Sequence, residues 1–395
     1  MAISFFSTLY IARNLGPTNF GEMSYAVSLV GLIGFIAPLG LDGILYRELI
    51  RYPEKRNILL GTTFILRIIA GTIISCITIV TALTISIDDV SKVLILILSA
   101  TFFFNAFHIT NYHFLAKSEP KYQAIITIFV VTILNLLKIL IIFLGEGVIY
   151  LTLVLLSESI LYAALYVYVY LKKSGDYISN WSFDKKTAYS LLKDSFPIIV
   201  VSGSVVIYSR IDQVFIKHLL GAEKVGIYDA AVRIVDVWNF IPAILGTALF
   251  PAIVNAEKVS SELLLSRTRR LTFIFAAIPA IIAIFICFFA EEIISILYGA
   301  EFIEAAEVLK IYVWTFIGTS LAIHIQAYIT LKNERILLIL SSLIPMCINV
   351  YLNYIWIPDF GIIGAAYASL ISYSLVPLFI IFRRRDKKSI ITQTY

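Results

Sequence analysis

The sequence predicts an all-α integral membrane protein with twelve transmembrane helices in two six-helix lobes. Three observations carry that prediction. Of the 395 residues, 60% are hydrophobic and only 14% are charged, with a mean hydropathy of +0.92. A water-soluble surface on a chain this long needs far more charge. Apolar windows of bilayer-crossing length recur throughout, and a pattern in the first half returns in the second.

A spanning helix needs roughly 20 mostly apolar residues. Eleven windows meet this: Met23–Tyr46, Ile58–Ile85, Val93–Ala116, Ala124–Leu144, Val148–Leu171, Phe196–Leu219, Val225–Val254, Leu271–Ala290, Val308–Leu331, Ile336–Ile357 and Ile362–Phe382. Met1–Asn14 is a twelfth, too short to cross alone. Met1 leads straight into apolar residues with no basic start or small-residue cleavage site, so no signal peptide is expected. Basic residues set the sidedness. One set of alternating connections holds Arg47, Arg51, Lys55, Arg56, Lys117, Lys121, Lys172, Lys173, Lys185, Lys186, Lys193, Lys258, Arg267, Arg269, Arg270, Lys332 and Arg335. The tail adds Arg383, Arg384, Arg385, Lys387 and Lys388, while the opposite set holds only Arg13, Lys92, Lys217 and Lys224, with Lys310 at a helix edge. Positive loops stay cytoplasmic, so both termini and the Lys172–Lys193 connection are expected there.

The repeat sets the organisation. At an offset of 205, Ile11, Leu15, Gly16, Gly21, Ala26, Val27, Val30, Phe35 and Ile36 meet identical residues, from Ile216, Leu220 and Gly221 to Phe240 and Ile241. At an offset of 215, Val93 meets Val308, and Lys117-x-Glu119 meets Lys332-x-Glu334. Gly147-Val148 echoes Gly361-Ile362. Six spans per half is an even number, so the halves point the same way, and transporters of this kind hold substrate between halves that rock. The expected division is a first lobe over 1–171, a cytoplasmic linker over 172–195 and a second lobe over 196–395 with its basic tail. Helix seven starts near Ser195, about 25 residues before Gly221, whereas Gly16 has fifteen ahead of it. The first helix is therefore expected to be short or to lack about ten residues. The rise in offset implies some ten extra residues in the second half, within "AEEIISILYGAEFIEAAEVL". That stretch reads either as a separate interfacial helix or as an extension of helix ten.

Ionisable residues inside spans are costly in lipid and usually face a bundle interior or a wet cavity. The first half offers Arg67, Lys138 and Glu158, with Asp42, Arg47 and Glu48 near a cytoplasmic helix end. The second offers Arg210, Asp212, Asp229, Arg233 and Asp236. Asp229, Arg233 and Asp236 share one helical face and read as a neutralised structural cluster. Asp212 lies about 200° around the helix from Arg210, so the two need separate partners. The first-half counterparts of Arg210, Asp212, Asp229 and Arg233 are Phe5, Ser7, Ser24 and Ser28, so the lobes differ chemically. His108, His113 and His324 read as hydrogen-bonding residues before they read as proton carriers. Tyrosines from Tyr162 to Tyr170 suggest an interfacial belt. Cys76, Cys287 and Cys347 read as small buried hydrophobes. No metal-ligand spacing, nucleotide-binding loop or catalytic triad spacing is present. No metal, cofactor or nucleic-acid partner is expected, and the chain is not read as an enzyme.

The stretches "IARNLGPTNFGEMSYAVSL", "YSRIDQVFIKHLLGAEKVGIYDAAVRI", "ILYGAEFIEAAEVLKI" and "FGIIGAAYASLISY", in this order along the chain, resemble the polysaccharide flippases of the multidrug/oligosaccharidyl-lipid/polysaccharide exporter superfamily. The resemblance implies a V-shaped transporter in the bacterial cytoplasmic membrane. Its substrate would be an undecaprenyl-diphosphate-linked oligosaccharide, such as an O-antigen or capsule unit, and it would work beside a polysaccharide polymerase and chain-length regulator. Under that reading Arg210, with Arg67 and Lys138, is expected to line the cavity and take the diphosphate through charge-assisted bonds. Asp212 and Glu158 are the candidates for coupling to a proton or sodium gradient. A cation-coupled multidrug exporter of the same architecture is the nearest rival, disfavoured by the surplus of buried Arg and Lys. A membrane polymerase or ligase is a more distant one, since such chains carry a large outward loop and here the longest connection is cytoplasmic.

Overall fold

The computed structural model describes residues 2–85, 87–331 and 334–391, with no side chain described from residue 378 onward. Lys332 and the side chains of the basic tail therefore lie outside the described residues. The chain divides into two compact units, Met1–Val206 and Ile207–Tyr395. Among the described residues every regular element is helical. Nine helical stretches among them are long and apolar enough to cross a bilayer, and one, Ile336–Pro377, holds two lengths joined at Gly361.

The first unit opens with α1 (Ala2–Gly34), which breaks at Gly16 (φ 72°, ψ 170°) just before Pro17. Glycine supplies the left-handed backbone there, and Pro17 fits the first turn of the restarted helix. The chain then turns over residues 35–40, where Leu39 (φ 54°) and Gly40 (φ 59°) are left-handed, and α2 (Asp42–Arg51) begins. The predicted span Met23–Tyr46 is thus two pieces, because Pro38 and the two left-handed residues end the first helix. There follow α3 (Arg56–Thr84), α4 (Asp89–Ser99), α5 (Thr101–Asn105) and, after a tight turn at Ala106–His108, α6 (Ile109–Ala116). Asp88 caps α4 by accepting the Ser91 N–H at 2.8 Å. The predicted span Val93–Ala116 is therefore bent between α4 and α6, and the bends bring Asn105, His108 and Tyr112 around one cavity. The unit continues through α7 (Lys121–Phe143), α8 (Val148–Lys173) and the amino-terminal part of α9 (Lys185–Leu220).

That part of α9 is built into the first unit. Leu191 is buried with Leu41 and Ile44, and Arg47 Nη2 bonds Asp194 Oδ2 at 3.0 Å. A Cβ at Gly40 would sit 3.3 Å from Ser195 O, and one at Gly203 only 2.3 Å from the Phe35 ring. The connection between α8 and α9 is pinned as well. Asp176 accepts from Asn180 Nδ2 at 2.5 Å and from the Tyr177 N–H at 2.8 Å, and it pairs with Arg56. Trp181 Nε1 donates to Tyr170 OH at 3.0 Å, and the Asp184 N–H donates to Thr62 Oγ1 at 3.0 Å.

The second unit repeats the opening break. Gly221 (φ 92°, ψ 175°) separates α9 from α10 (Ala222–Asp236), with nearly the backbone of Gly16. Here the helix passes through a single turn at Val237–Asn239 into α11 (Phe240–Val259), where the first unit had broken. Next come α12 (Ser261–Phe288), α13 (Ala290–Leu297), α14 (Ala305–Tyr312), α15 (Thr315–Leu331) and α16 (Arg335–Ile391). α13 is a separate helix that buries Ala290 and Ile294 and leaves Ile296 70% exposed. α13 is thus not continuous with the tenth span, while residues 305–309 of the same stretch open α14. The third echo holds in sequence alone, since Gly361 is left-handed (φ 61°) and Gly147 is not (φ −88°).

Large apolar side chains cover the outside of both units, among them Ile128, Phe143, Ile281 and Phe285. In water such a surface would aggregate; in hydrocarbon it is the required one. Two expectations are corrected here. Cys76 and Cys347 are exposed and Cys287 is half-buried, all three free, since an apolar span buries only part of its circumference. Tyr166 and Tyr170 are buried and Tyr162 stacks on Tyr166, so only Tyr168, of these four, faces outward. The tyrosine row packs the interior of the first unit.

The pinned connection yields a prediction. A Cβ at Gly61 would fall 2.6 Å from both Ser182 N and Ser182 O. Gly61→Val should cost about 1–3 kcal/mol by overpacking and speed limited proteolysis within 174–184. The wild-type contact should resist acid. The Asn180 amide, then the Tyr177 N–H, Asn57 and Arg56, hold the Asp176 carboxyl down to about 2. Its contribution is complete above the ordinary carboxylate value of about 4 and is lost as pH falls from there through about 2. Cleavage rates unchanged between pH 7 and 4 would match this; a rise already at pH 5 would refute it.

Candidate functional site

α9 carries the most unusual buried group of the second unit. Asp212 is 2% exposed. Its Oδ2 accepts from Tyr228 OH on α10 at 2.6 Å and from Ser369 Oγ on α16 at 2.5 Å. Its Oδ1 accepts from Asn353 Nδ2, also on α16, at 2.7 Å. Asn353 Nδ2 reaches back to Asn349 O at 2.9 Å and to Asn349 Oδ1 at 3.0 Å. The pair sits four residues apart on the length of α16 before Gly361, while Ser369 sits on the length after it. Gly364 lets these lengths meet, since a Cβ there would lie 2.3 Å from Trp356 O. No ion pair within 4 Å joins Asp212 to a cation among the described residues. A bare buried carboxylate costs several kcal/mol, and hydroxyl and amide donors offset part of this. A proton can relieve the remainder, and so can a hard cation, which prefers carboxylate, amide and hydroxyl oxygens such as these. Asn349 Nδ2 and Asn353 Oδ1 are buried without a hydrogen-bond partner, so the cluster has unused capacity. Among the described residues no group of three His, Cys, Asp or Glu side chains suits a tightly held metal.

The basic residues of this unit separate. Arg233 Nε donates to Asp229 Oδ2 at 2.5 Å, and Gln213 Nε2 to Asp229 Oδ1 at 2.8 Å. Asp229 is fully buried. Asp236 instead accepts from Asn239 Nδ2 at 3.2 Å and feels the charges of Arg210, Asp229 and Arg233. The shared face therefore contains one tight ion pair, with Asp236 turned to Asn239. Arg210 is partly exposed and makes no ion pair within 4 Å among the described residues.

The first unit treats its charges differently. Arg67 is 5% exposed and its Nη2 bonds Asp42 Oδ1 at 2.5 Å, where Tyr112 OH also donates at 2.6 Å. Lys138 Nζ stands 3.5 Å from Glu158 Oε2. Each first-half cation expected to face the diphosphate thus has a carboxylate partner, and Glu158 is one of those partners. The counterparts of the second-unit charges, Ser7, Ser24 and Ser28, are buried hydroxyls. The histidines pack against aromatic rings: His113 against Tyr170 at 5.3 Å and His324 over Phe275 at 5.1 Å. Sequence reasoning missed Tyr228, Asn349, Asn353 and Ser369, although the i, i+4 asparagine pair inside an apolar span was a usable signal. It also missed Glu22, which bonds Ser91 in the interior of the first unit.

Two helical units of this kind define the two-lobed membrane transporter fold. The structure superposes on an inward-facing multidrug resistance MATE family transporter of the MOP superfamily with a TM-score of 0.84, covering 99% of this chain and 95% of that one at 16% identity. The lipid II flippase MurJ, in an inward closed conformation, gives 0.78, covering 97% and 85% at 16% identity. The family model described as polysaccharide biosynthesis protein matches residues 1–257, and the chain belongs to that family. A second model, MatE, matches residues 197–355. A probable low-salt glycan biosynthesis flippase, Agl15 of Haloferax volcanii, is 29% identical over 196 residues, 48% of this chain and 40% of that protein. A probable flippase, AglR of the same organism, is 24% identical over 179 residues, 42% and 36%. The match spans about two-fifths of the length of these relatives.

The buried pair is testable in isolation. Asp229→Ala removes the carboxylate that Arg233 and Gln213 both bond and should cost about 3–5 kcal/mol. Adding Arg233→Met should recover most of that loss. Thermal unfolding of the detergent-solubilised single and double variants measures the coupling.

Proposed function

We propose that the protein is a flippase that carries an undecaprenyl-diphosphate-linked oligosaccharide across the bacterial cytoplasmic membrane by alternating access, with both termini cytoplasmic. The observation that carries this reading is the content of α9. Two residues apart, one helix holds an arginine outside every described ion pair and a buried carboxylate without a cation. Arg210 supplies the charge that a diphosphate needs, through bidentate bonds to its oxygens. Asp212 supplies a site whose occupancy by a proton or sodium ion changes the energy of the helix that bears the arginine. Binding at one face and coupling at the other are then linked through a single rigid element. The family match and the two relatives described as probable flippases support the substrate class. Both relatives come from an archaeon, so the undecaprenyl carrier and the bacterial host rest on the resemblance noted above. Partnership with a polymerase and chain-length regulator rests there too.

One observation favours a second reading. Compensation of Arg67 by Asp42 and of Lys138 by Glu158 leaves little uncompensated positive charge in the first unit. That weakens the argument against a cation-coupled multidrug exporter. Deleting the gene in its host separates the two. Lipid-linked oligosaccharides trapped on the cytoplasmic leaflet match the flippase. Trapping on the outer leaflet indicates a polymerase or ligase, and new drug sensitivity without accumulation indicates an exporter. Arg210→Ala should insert normally and fail to restore surface glycan; a normal glycan would remove Arg210 from the site. Asp212→Asn keeps shape and removes charge, so transport by this variant in vesicles should no longer respond to an imposed proton or sodium gradient.

A further inference from the structure

The first unit encloses a cavity of about 300 Å³ between the turn after α1, α2, α3 and the bent α5–α6 segment. Its chemistry is carried by Asp42, Arg67, Phe102, Asn105, His108 and Tyr112. The Asp42 side chain is 49% exposed and marks the way in, while Arg67 is closed off at 5%. Three polar groups on the wall are unused. Arg67 Nε and His108 Nε2 are buried without a hydrogen-bond partner, and the Asn105 amide makes no hydrogen bond among the described residues. Buried donors and acceptors left bare are expensive, and the Arg67 Nε and His108 Nε2 positions are of that kind, with the half-exposed Asn105 amide beside them; such a wall suits a ligand that satisfies them.

The charge and shape of the cavity narrow the ligand. Arg67 is already compensated by Asp42, and Tyr112 donates to the same carboxylate oxygen. A phosphate would have to displace or approach that carboxylate, so an anion is disfavoured. A drug-like cation or aromatic would leave the guanidinium, imidazole and amide positions bare. A hydrocarbon tail would do the same. The Phe102 ring also lines the cavity, and it lies so close to Gly34 that a Cβ there would meet it at 2.1 Å. Donors and acceptors together with an aromatic ring in one lining suit a neutral, polyhydroxylated ring. The volume sits at the low end for a small-molecule pocket and admits one such ring.

We propose that this cavity is a subsite for one sugar residue of the transported glycan, reading the sugar with Asp42, Arg67, Asn105 and His108. The proposal rests on the flippase reading above. Saturation-transfer NMR on the intact chain in nanodiscs tests it, with millimolar methyl glycosides of glucose, galactose, mannose, N-acetylglucosamine and rhamnose as probes and inorganic phosphate as competitor. At least one glycoside should receive saturation. The signal should be lost in Asn105→Leu and in Asp42→Asn and retained in Arg210→Ala. Each variant is checked for an unchanged unfolding temperature, and Asn105→Leu removes no charge, so it keeps the test usable if Asp42→Asn misfolds. No transfer to any glycoside, a signal that survives Asn105→Leu, or displacement by phosphate would each overturn the subsite. Failure here is distinct from failure of the flippase reading. If gene deletion traps lipid-linked glycan on the cytoplasmic leaflet and Asn105→Leu restores its export in full, the subsite falls and the flippase stands.

Discussion

Hydrocarbon offers an ionised side chain no solvent, and that single restriction organises both units. Every charge drawn into the interior must be matched by another charge, by hydrogen-bond donors or by a proton. Three solutions coexist along one chain. Arg67 and Lys138 take carboxylate partners from neighbouring helices, Arg233 takes one from its own, and Asp212 is held by neutral groups alone. The first two solutions fix structure, because their net charge does not change. The third leaves the carboxylate held without a cation among the described residues, which is the arrangement the proposed coupling rests on.

The same restriction explains what was legible beforehand. Spans, their order and the repeat follow from local features: runs of apolar residues, and a glycine where the backbone must turn left. Gly16 and Gly221 share a backbone geometry because the same Leu-Gly step serves the same junction twice. Pairing was not legible. Asp42 lies 25 residues from Arg67 and Glu158 lies 20 from Lys138. Only the packing of separate helices brings those atoms together, and nothing local in the sequence announces it. The site around Asp212 was half readable. The acid stood out in its apolar run, whereas Tyr228 and Ser369 look like ordinary members of their helices until the fold sets them against it. The cysteines went wrong for a related reason. Apolar surroundings in sequence mean burial in water but mean only lipid contact in a membrane.

The units are chemically unequal where they are most alike in sequence. Hydroxyls at Ser7, Ser24 and Ser28 stand where the second copy has acids and an arginine. Charge enters the first unit at other places, around a cavity and between α7 and α8. One helical pattern recurs in both halves, and each carries its polar groups on different helices.

The way α9 is shared has a consequence for where the first unit ends. Its opening turns interlock with the first unit through Asp194 on Arg47, Gly203 on Phe35 and Leu191 in a common apolar cluster. The packing boundary at Val206 thus falls inside one continuous helix and not at a loop. A chain cut at the start of α9 would strip the first unit of residues it packs upon, so that unit does not end where its last loop ends.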